Sequence, residues 1–227
     1  MTEPRILFED ADIVVVDKPA GWVVHPAGSG EHRALDAWLK ERLGHEVFLV
    51  HRIDRQTSGV LLVAKNEKAQ GFLKAQFQKR DVRKIYRAFV YGVTDERGII
   101  DKPIGSTRGG LGPRSAKNPY GTLRDATTIY RSITHNREAT YVEIFPKTGR
   151  THQIRVHFAA IQHPVICDEL YAPGRPKLLG FERLALHALS LSFVHPSSTS
   201  SGQASGNQVT FEAPLPEDFV RAERLIF

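Results

Sequence analysis

One short segment combines an acidic side chain with two arginines. Asp54 lies between Arg52 and Arg55 in residues 51–59, HRIDRQTSG. Nearby guanidinium groups favour the ionised carboxylate, which can act as a base or as a nucleophile. We predict that a strand over 48–52 leads into this polar turn, which would hold Asp54 at the rim of a cleft. A structural ion pair within the turn is the alternative interpretation, because ion-pair networks also place carboxylates beside arginines.

A second segment, residues 148–157, reads TGRTHQIRVH. We predict that a helix starts within its first four residues and runs to about residue 162, with Thr151 as the N-cap. Apolar residues follow Ile154 at i+4 and i+7, which defines a buried face. His152 and Arg155 are three apart and share a different face, near N–H groups that suit a phosphate. A basic, solvated helix without further function is the alternative.

A third segment, residues 84–89, reads KIYRAF and predicts a strand on which Tyr86 and Arg87 face opposite sides. A tyrosine on a strand is usually part of the core. If Tyr86 instead faces the same cleft as Asp54, its ring can stack on a nucleic acid base.

The remaining elements follow from periodicity and turn residues. Strands are predicted over 6–8, 13–19, 60–64, 84–93, 125–134, 139–146, 184–194 and 209–211, and helices over 34–43 and 67–80. The stretch 101–124 is glycine-rich and basic and is predicted to form a long exposed loop or an irregular hairpin. Residues 196–208 are predicted to be a low-complexity loop. We expect one domain over 1–227, of class α+β, with a mixed, largely antiparallel central sheet flanked by helices.

The composition indicates the compartment and the partner. The chain has 227 residues, with 31 Lys+Arg against 25 Asp+Glu, so its net charge of +6 suits a polyanion such as RNA or DNA. No apolar run is long enough to cross a bilayer, and the N-terminus does not have the pattern of a secretory signal. The only cysteine, Cys167, cannot form an internal disulfide and fits a reducing compartment. We therefore expect a cytoplasmic protein with no membrane contact.

Six segments, in order, resemble the RluA-type pseudouridine synthases. Residues 51–59 are similar to that family's H-R-L-D-x-x-T-S-G, with Ile53 in place of leucine. The other similar segments are 16–21 (VDKPAG), 84–86 (KIY), 148–157 (TGRTHQIRVH), 163–168 (HPVICD) and 186–188 (LHA). The resemblance runs from about residue 6 to 216, and ordered matches are far more specific than any single motif. It implies the pseudouridine synthase fold, with the active-site cleft across the sheet.

The resemblance implies roles for particular residues. Asp54 would be the catalytic carboxylate, Tyr86 would pack against the target base, and Arg155 would pair with the aspartate. Arg52 would assist base flipping. The predicted substrate-binding residues are Arg52, Thr57, Arg150, His152 and Gln153, with phosphate contacts also from the basic stretch 102–124.

The implied chemistry is an isomerisation. Uracil detaches from C1′ of the ribose, rotates, and rejoins through its C5, so neither a metal nor an organic cofactor is required. The carboxylate can abstract the 2′ proton, or add to C1′ or to uracil C6, and these routes stay open. Because a stacked uridine cannot reach a carboxylate, the nucleotide must first be extruded from the RNA.

Two other functions compete with this one. A non-catalytic RNA-binding module would not need Asp54, Tyr86 and Arg155. A metal-dependent nuclease would need a compact set of ligands, and the five-residue spacing of His152 and His157 does not supply one. The substrate stays open between ribosomal RNA and transfer RNA. We expect no N-terminal S4-like RNA-binding domain and a monomer.

Overall fold

The computed structural model describes residues 2–26, 33–107, 113–117, 119–197 and 207–226. In these residues thirteen strands and four helices follow one another. Their bounds are β1 (Arg5–Glu9), β2 (Ile13–Lys18), α1 (Leu35–Leu43), β3 (Phe48–Leu49), β4 (Ser58–Ala64), α2 (Glu67–Lys79), β5 (Arg83–Tyr91), β6 (Arg97–Asp101), β7 (Ile104–Ser106), β8 (Arg114–Ser115), β9 (Tyr120–Arg124), β10 (Thr127–His135), β11 (Ala139–Pro146), α3 (Gln153–Ala160), β12 (Leu186–Val194), β13 (Gln208–Glu212) and α4 (Glu217–Ile226).

The chain divides into two units, each built from separate stretches of sequence. Unit 1 contains Met1–Lys84 and Ala188–Pro214, and unit 2 contains Ile85–His187 and Leu215–Phe227. The boundaries therefore fall within β5, within β12 and between β13 and α4. The prediction of one domain over 1–227 stays a prediction.

Unit 1 is built on a sheet in which the pairs β1–β2, β2–β4, β3–β4 and β12–β13 are antiparallel. The strands lie in the order β1-β2-β4-β12, β3 pairs with β4, and β13 pairs with β12. Every residue of β4 is buried, because α2 packs on this strand and the pattern of its sequence is apolar throughout rather than alternating. Helix α2 starts at the N-cap Asn66, whose side chain accepts a hydrogen bond from the Ala69 N–H.

Unit 2 contains the antiparallel order β5-β11-β10-β6. Its core includes Phe89, Phe158, Phe181 and Phe219, and the rings of Phe89, Phe181 and Phe219 contact one another. Helix α4 supplies Phe219, Ala222 and Ile226 to this core at helical spacing. Together with the largely antiparallel sheets, the four helices make the α+β fold that the sequence predicts.

Three of the predicted elements need correction. The strand predicted over 48–52 ends at Leu49. The helix predicted from residues 148–151 begins at Gln153, and its N-cap is His152, not Thr151. Part of the stretch 101–124 forms a three-stranded sheet, β8-β7-β9, which we call the small sheet. β6 and α4 were not predicted. Residues 198–206 of the predicted loop over 196–208 lie outside the described residues.

Candidate active site

Asp54 lies in the loop between β3 and β4, in unit 1. The loop turns back at once, because the Thr57 N–H donates to the Asp54 carbonyl at 3.1 Å. The Arg55 side chain donates to the carbonyl of Gly21, and the Gly21 N–H donates to the Arg55 carbonyl at 2.8 Å. Asp54 itself is half-buried, whereas Thr57 is buried. The carboxylate is therefore carried by a loop with a fixed backbone and retains access to solvent.

Lys18 is a second anchor of this loop, and its role was not predicted from the sequence. Its side chain is fully buried, and its Nζ donates to three backbone carbonyls, of Pro19 (3.0 Å), Trp22 (2.8 Å) and Arg55 (3.2 Å). A buried ammonium needs such acceptors in place of water. Lys18 thus ties the end of β2 to the residue that follows Asp54. The signal in the sequence was a lysine at the end of an apolar strand.

His51 explains why β3 is so short. Its Nε2 accepts a hydrogen bond from the Leu62 N–H at 3.0 Å, so a side chain replaces the backbone acceptor that a longer β3 would present to β4. The imidazole ring stacks on Phe77 of α2, with ring centroids 4.6 Å apart. Burial, and to a smaller degree the charge of Lys84, lowers the pKa of His51 to about 3. A neutral His51 therefore directs the chain away from β4 before Asp54.

Gly59 is required by a close approach between strands. Its φ is +112°, and a Cβ atom at this position would lie 2.1 Å from the carbonyl oxygen of Ala188. Only glycine combines that backbone conformation with that contact. The glycine of the segment TSG therefore serves the pairing of β4 with β12.

Tyr86 lies on β5, in unit 2, opposite Ile144 of β11. It is half-buried and packs against the core of unit 2. Arg87, the next residue, has its guanidinium 2.8 Å from the carboxylate of Glu143, which also binds Arg131. The strand predicted at residues 84–89 is confirmed. Tyr86 packs against the apolar core of unit 2, whereas Arg87 pairs with Glu143.

Arg155 is buried in α3 and is held by a carboxylate. Its Nε and Nη2 donate to the two carboxylate oxygens of Asp168 at 2.7 and 2.8 Å. The guanidinium carbon lies 5.1 Å from the ring centroid of Tyr171. A two-point contact of this kind fixes the plane of the guanidinium as well as its position. Asp168 lies in the segment HPVICD of the family resemblance, but its role was not predicted.

Gln153 is a hydrogen-bonding centre within unit 2. Its side-chain oxygen accepts from the Thr148 hydroxyl at 2.6 Å and from the Arg150 N–H at 3.0 Å. Its side-chain nitrogen donates to the Thr127 carbonyl and to the Thr128 hydroxyl. These four contacts fill the capacity of an amide side chain, so Gln153 joins the turn at 148–152 to β10. Its role in substrate binding stays a prediction.

The other predicted substrate-binding residues fall into both units. Arg52 is exposed in the Asp54 loop, and the Arg150 side chain donates to the carbonyl of Asp125. His152 has a left-handed backbone, with φ of 55°, and its Nδ1 lies 3.0 Å from the hydroxyl of Tyr171. Roles for these residues, and for Thr57, stay predictions. Of the predicted basic stretch, residues 108–112 and 118 lie outside the described residues.

Comparison with known proteins supplies the identity of the fold. A family model described as RNA pseudouridylate synthase matches residues 12–160, which is more than half of the chain. The chain belongs to the RNA pseudouridylate synthase family. As a member of this family, the protein is an enzyme that isomerises uridine to pseudouridine in RNA. The family and the activity that the sequence predicted are confirmed.

Curated relatives extend the similarity over nearly the whole chain. A protein from Vibrio cholerae named ribosomal large subunit pseudouridine synthase D is 40% identical, over 95% of this chain and 68% of its own length. A protein of the same name from Pseudomonas aeruginosa is 38% identical, over 96% of this chain and 70% of its own length.

Solved structures of pseudouridine synthases have the same fold. Human RNA pseudouridylate synthase domain containing 1 superposes with a TM-score of 0.76 at 27% identity, over 94% of this chain and 84% of its own. Human RNA pseudouridylate synthase domain containing 4 gives 0.76 at 26% identity, over 97% and 92%.

Two further properties of the structure concern metal binding and membrane insertion. Across the described ranges, no group of three or more His, Cys, Asp or Glu side chains is arranged to hold a metal ion. Within the same ranges, no helix has both the length and the apolar character of a bilayer-spanning segment.

Proposed function

We propose that this pseudouridine synthase acts on ribosomal RNA of the large subunit. The observation that supports this substrate is the name shared by relatives from Vibrio cholerae and Pseudomonas aeruginosa, which are 40% and 38% identical over nearly the whole chain. The basic composition, +6, suits any RNA, so it does not distinguish ribosomal from transfer RNA. We also propose that the enzyme works as a monomer in the cytoplasm.

Asp54 is proposed as the catalytic residue. The support is its place in the segment HRID and the rigid backbone around it, which includes the Thr57 N–H on its carbonyl and Lys18 on the carbonyl of Arg55. A carboxylate on a fixed backbone that retains solvent access can meet an incoming nucleotide without reorganising the loop. Both routes, proton abstraction from C2′ and covalent addition to C1′ or C6, begin from this ionised group.

Tyr86 and Arg155 are proposed as further catalytic residues, as the family resemblance implies. The tyrosine ring would stack against uracil, which offsets part of the few kcal/mol that extrusion of the nucleotide from the RNA costs. Arg155 would contribute a fixed positive charge to the reaction. Its support is the two-point contact with Asp168, which holds the guanidinium in one plane. Arg52, Thr57, Arg150, His152 and Gln153 are proposed to contact the RNA.

The substrate is tested by mapping pseudouridines in total RNA from a strain that lacks this protein. Carbodiimide treatment followed by primer extension marks each pseudouridine. We expect one or more stops in large-subunit rRNA to disappear, and to return when the wild-type chain is supplied. If the only stops that disappear are in transfer RNA, large-subunit rRNA is not the substrate.

A further inference from the structure

Tyr171 contacts both members of the ion pair between Arg155 and Asp168 in unit 2. Its ring lies under the Arg155 guanidinium, with 5.1 Å between the guanidinium carbon and the ring centroid. Its backbone N–H donates at 3.1 Å to Asp168 Oδ1, which also accepts from Arg155 Nη2. One residue therefore supports both the cation and the anion of this buried ion pair.

The hydroxyl of Tyr171 reaches in a different direction, toward the small sheet. It accepts a hydrogen bond from the backbone N–H of Arg114, the first residue of β8, at 3.1 Å. It also lies 3.0 Å from Nδ1 of His152, the N-cap of α3. The hydroxyl accepts from Arg114 through one lone pair and keeps its proton and a second lone pair, so it can pair with either tautomer of His152. The hydroxyl thus joins β8 to the start of the helix that carries Arg155.

The small sheet has the surface of an RNA contact. Arg114, Lys117 and Arg124 are exposed on it, and Tyr120 is an exposed aromatic residue, with 58% of its surface accessible. Basic side chains with an aromatic ring among them suit the phosphates and bases of RNA. The sheet is also attached to α3 through its apolar side, where buried Ala116 belongs to the same cluster as Val156.

From these contacts we propose that Tyr171 is a positioning residue that couples RNA binding at the small sheet to the orientation of Arg155. The hydroxyl holds β8 and His152 in place, and the ring holds the guanidinium. When RNA binds the small sheet, Arg155 on α3 is therefore already held in the orientation that the reaction needs. This coupling rests on the proposed function, because it assumes that Arg155 takes part in pseudouridine formation.

Two substitutions separate the tasks of the ring and the hydroxyl. Tyr171→Phe removes only the hydroxyl, and we expect KM for the RNA to rise about 5- to 10-fold with kcat within about twofold, since two neutral hydrogen bonds are lost. Tyr171→Leu removes the support of the guanidinium as well, and we expect kcat to fall about 100-fold, the loss typical of a misplaced catalytic group.

Tyr91→Phe is the matched control in the same unit. The Tyr91 hydroxyl is likewise hydrogen-bonded to the backbone, donating to the Pro176 carbonyl at 2.8 Å. Its ring likewise lies under a guanidinium, with 5.0 Å between the Arg175 guanidinium carbon and the ring centroid. A purely structural effect of losing such a hydroxyl would appear in both phenylalanine variants. We expect Tyr91→Phe to change the unfolding temperature alone, with kcat and KM as in the wild type.

A measurement without RNA separates this proposal from the proposed function. Amide hydrogen exchange in the free protein should be faster at Arg114 in Tyr171→Phe than in the wild type and in Tyr91→Phe. Unchanged exchange together with an unchanged KM would overturn the coupling, as would a Tyr171→Phe variant that loses kcat to the same extent as Tyr171→Leu. If wild-type protein forms no pseudouridine in large-subunit rRNA, the proposed function fails, whereas the exchange result still shows whether the Tyr171 hydroxyl holds β8.

Discussion

Acid should destabilise this protein through His51, more than through an exposed histidine. The imidazole stacks on Phe77 and accepts the Leu62 N–H, and its pKa is lowered to about 3 from an ordinary value of 6.5. Between these two pH values the unfolded chain binds a proton at His51 that the folded chain does not. The contribution of His51 to stability is therefore complete above pH 6.5 and falls as the pH is lowered toward 3.

The size of the effect follows from the shift. One pKa unit corresponds to about 1.4 kcal/mol, and pH 5 lies 1.5 units below the unfolded value, so the folded state should lose about 2 kcal/mol at pH 5 relative to pH 7. Protonation of the imidazole would also place its Nε2–H donor against the Leu62 N–H donor. The loss of this hydrogen bond would lower the free energy of unfolding as well.

His51→Gln isolates this contribution. A glutamine side chain offers an acceptor to Leu62 but does not titrate. Urea unfolding at pH 7 and pH 5 gives the change in the free energy of unfolding for the wild type and for the variant. When the two changes are subtracted, the contributions of carboxylates that titrate in both proteins cancel. We expect the variant to lose about 2 kcal/mol less than the wild type between the two pH values. His135→Gln, at an exposed position, is the control. An equal pH dependence in wild type and His51→Gln would refute a lowered pKa for His51.

Three further predictions concern the supports of the Asp54 loop and the charge of the surface. Gly59→Ala should lower the free energy of unfolding by about 3 kcal/mol or more, because its Cβ meets Ala188, whereas Gly44→Ala, strained only by its φ, should lower it by about 1–2 kcal/mol; urea unfolding compares the two. Lys18→Met should lower the thermal unfolding temperature and the turnover, since three backbone carbonyls, including that of Arg55, lose their donor. A variant with wild-type values for both would contradict this role. RNA affinity measured at increasing salt should fall steeply, and a flat response would count against phosphate contacts.

The apolar strands and the amphipathic helices were predictable because their patterns are local. Residues 60–64 are buried and 139–146 form a strand, as expected. The start of α3 was not predictable, because it depends on the hydrogen bonds of the Gln153 side chain. Gln153 draws Thr148 and Arg150 into a turn before the helix begins, where sequence alone suggests helical capping at Thr151.

The candidate site shows the same contrast between features that a local sequence pattern predicts and features that depend on side-chain contacts. Asp54, Tyr86 and Arg155 were proposed from the sequence because they belong to motifs. Their supports were not, because those contacts join residues distant in sequence. Lys18 reaches the carbonyl of a residue 37 positions later. Tyr171 lies in a segment without hydrophobic periodicity, so no pattern predicts its contacts with Arg114, His152 and Arg155.

Asp54 is proposed as the catalyst of this isomerisation, and release of the hydrogen at uracil C5 tests that role directly. When uracil rejoins the ribose through C5, the hydrogen at C5 is released to water, so RNA labelled with tritium at uridine C5 reports each turnover. The measurement compares tritium release by wild type and by Asp54→Asn, with equal unfolding temperatures as evidence that both proteins are folded. We predict release by the wild type and none above background by the variant. Release at the wild-type rate by a folded Asp54→Asn protein would contradict the catalytic role of Asp54.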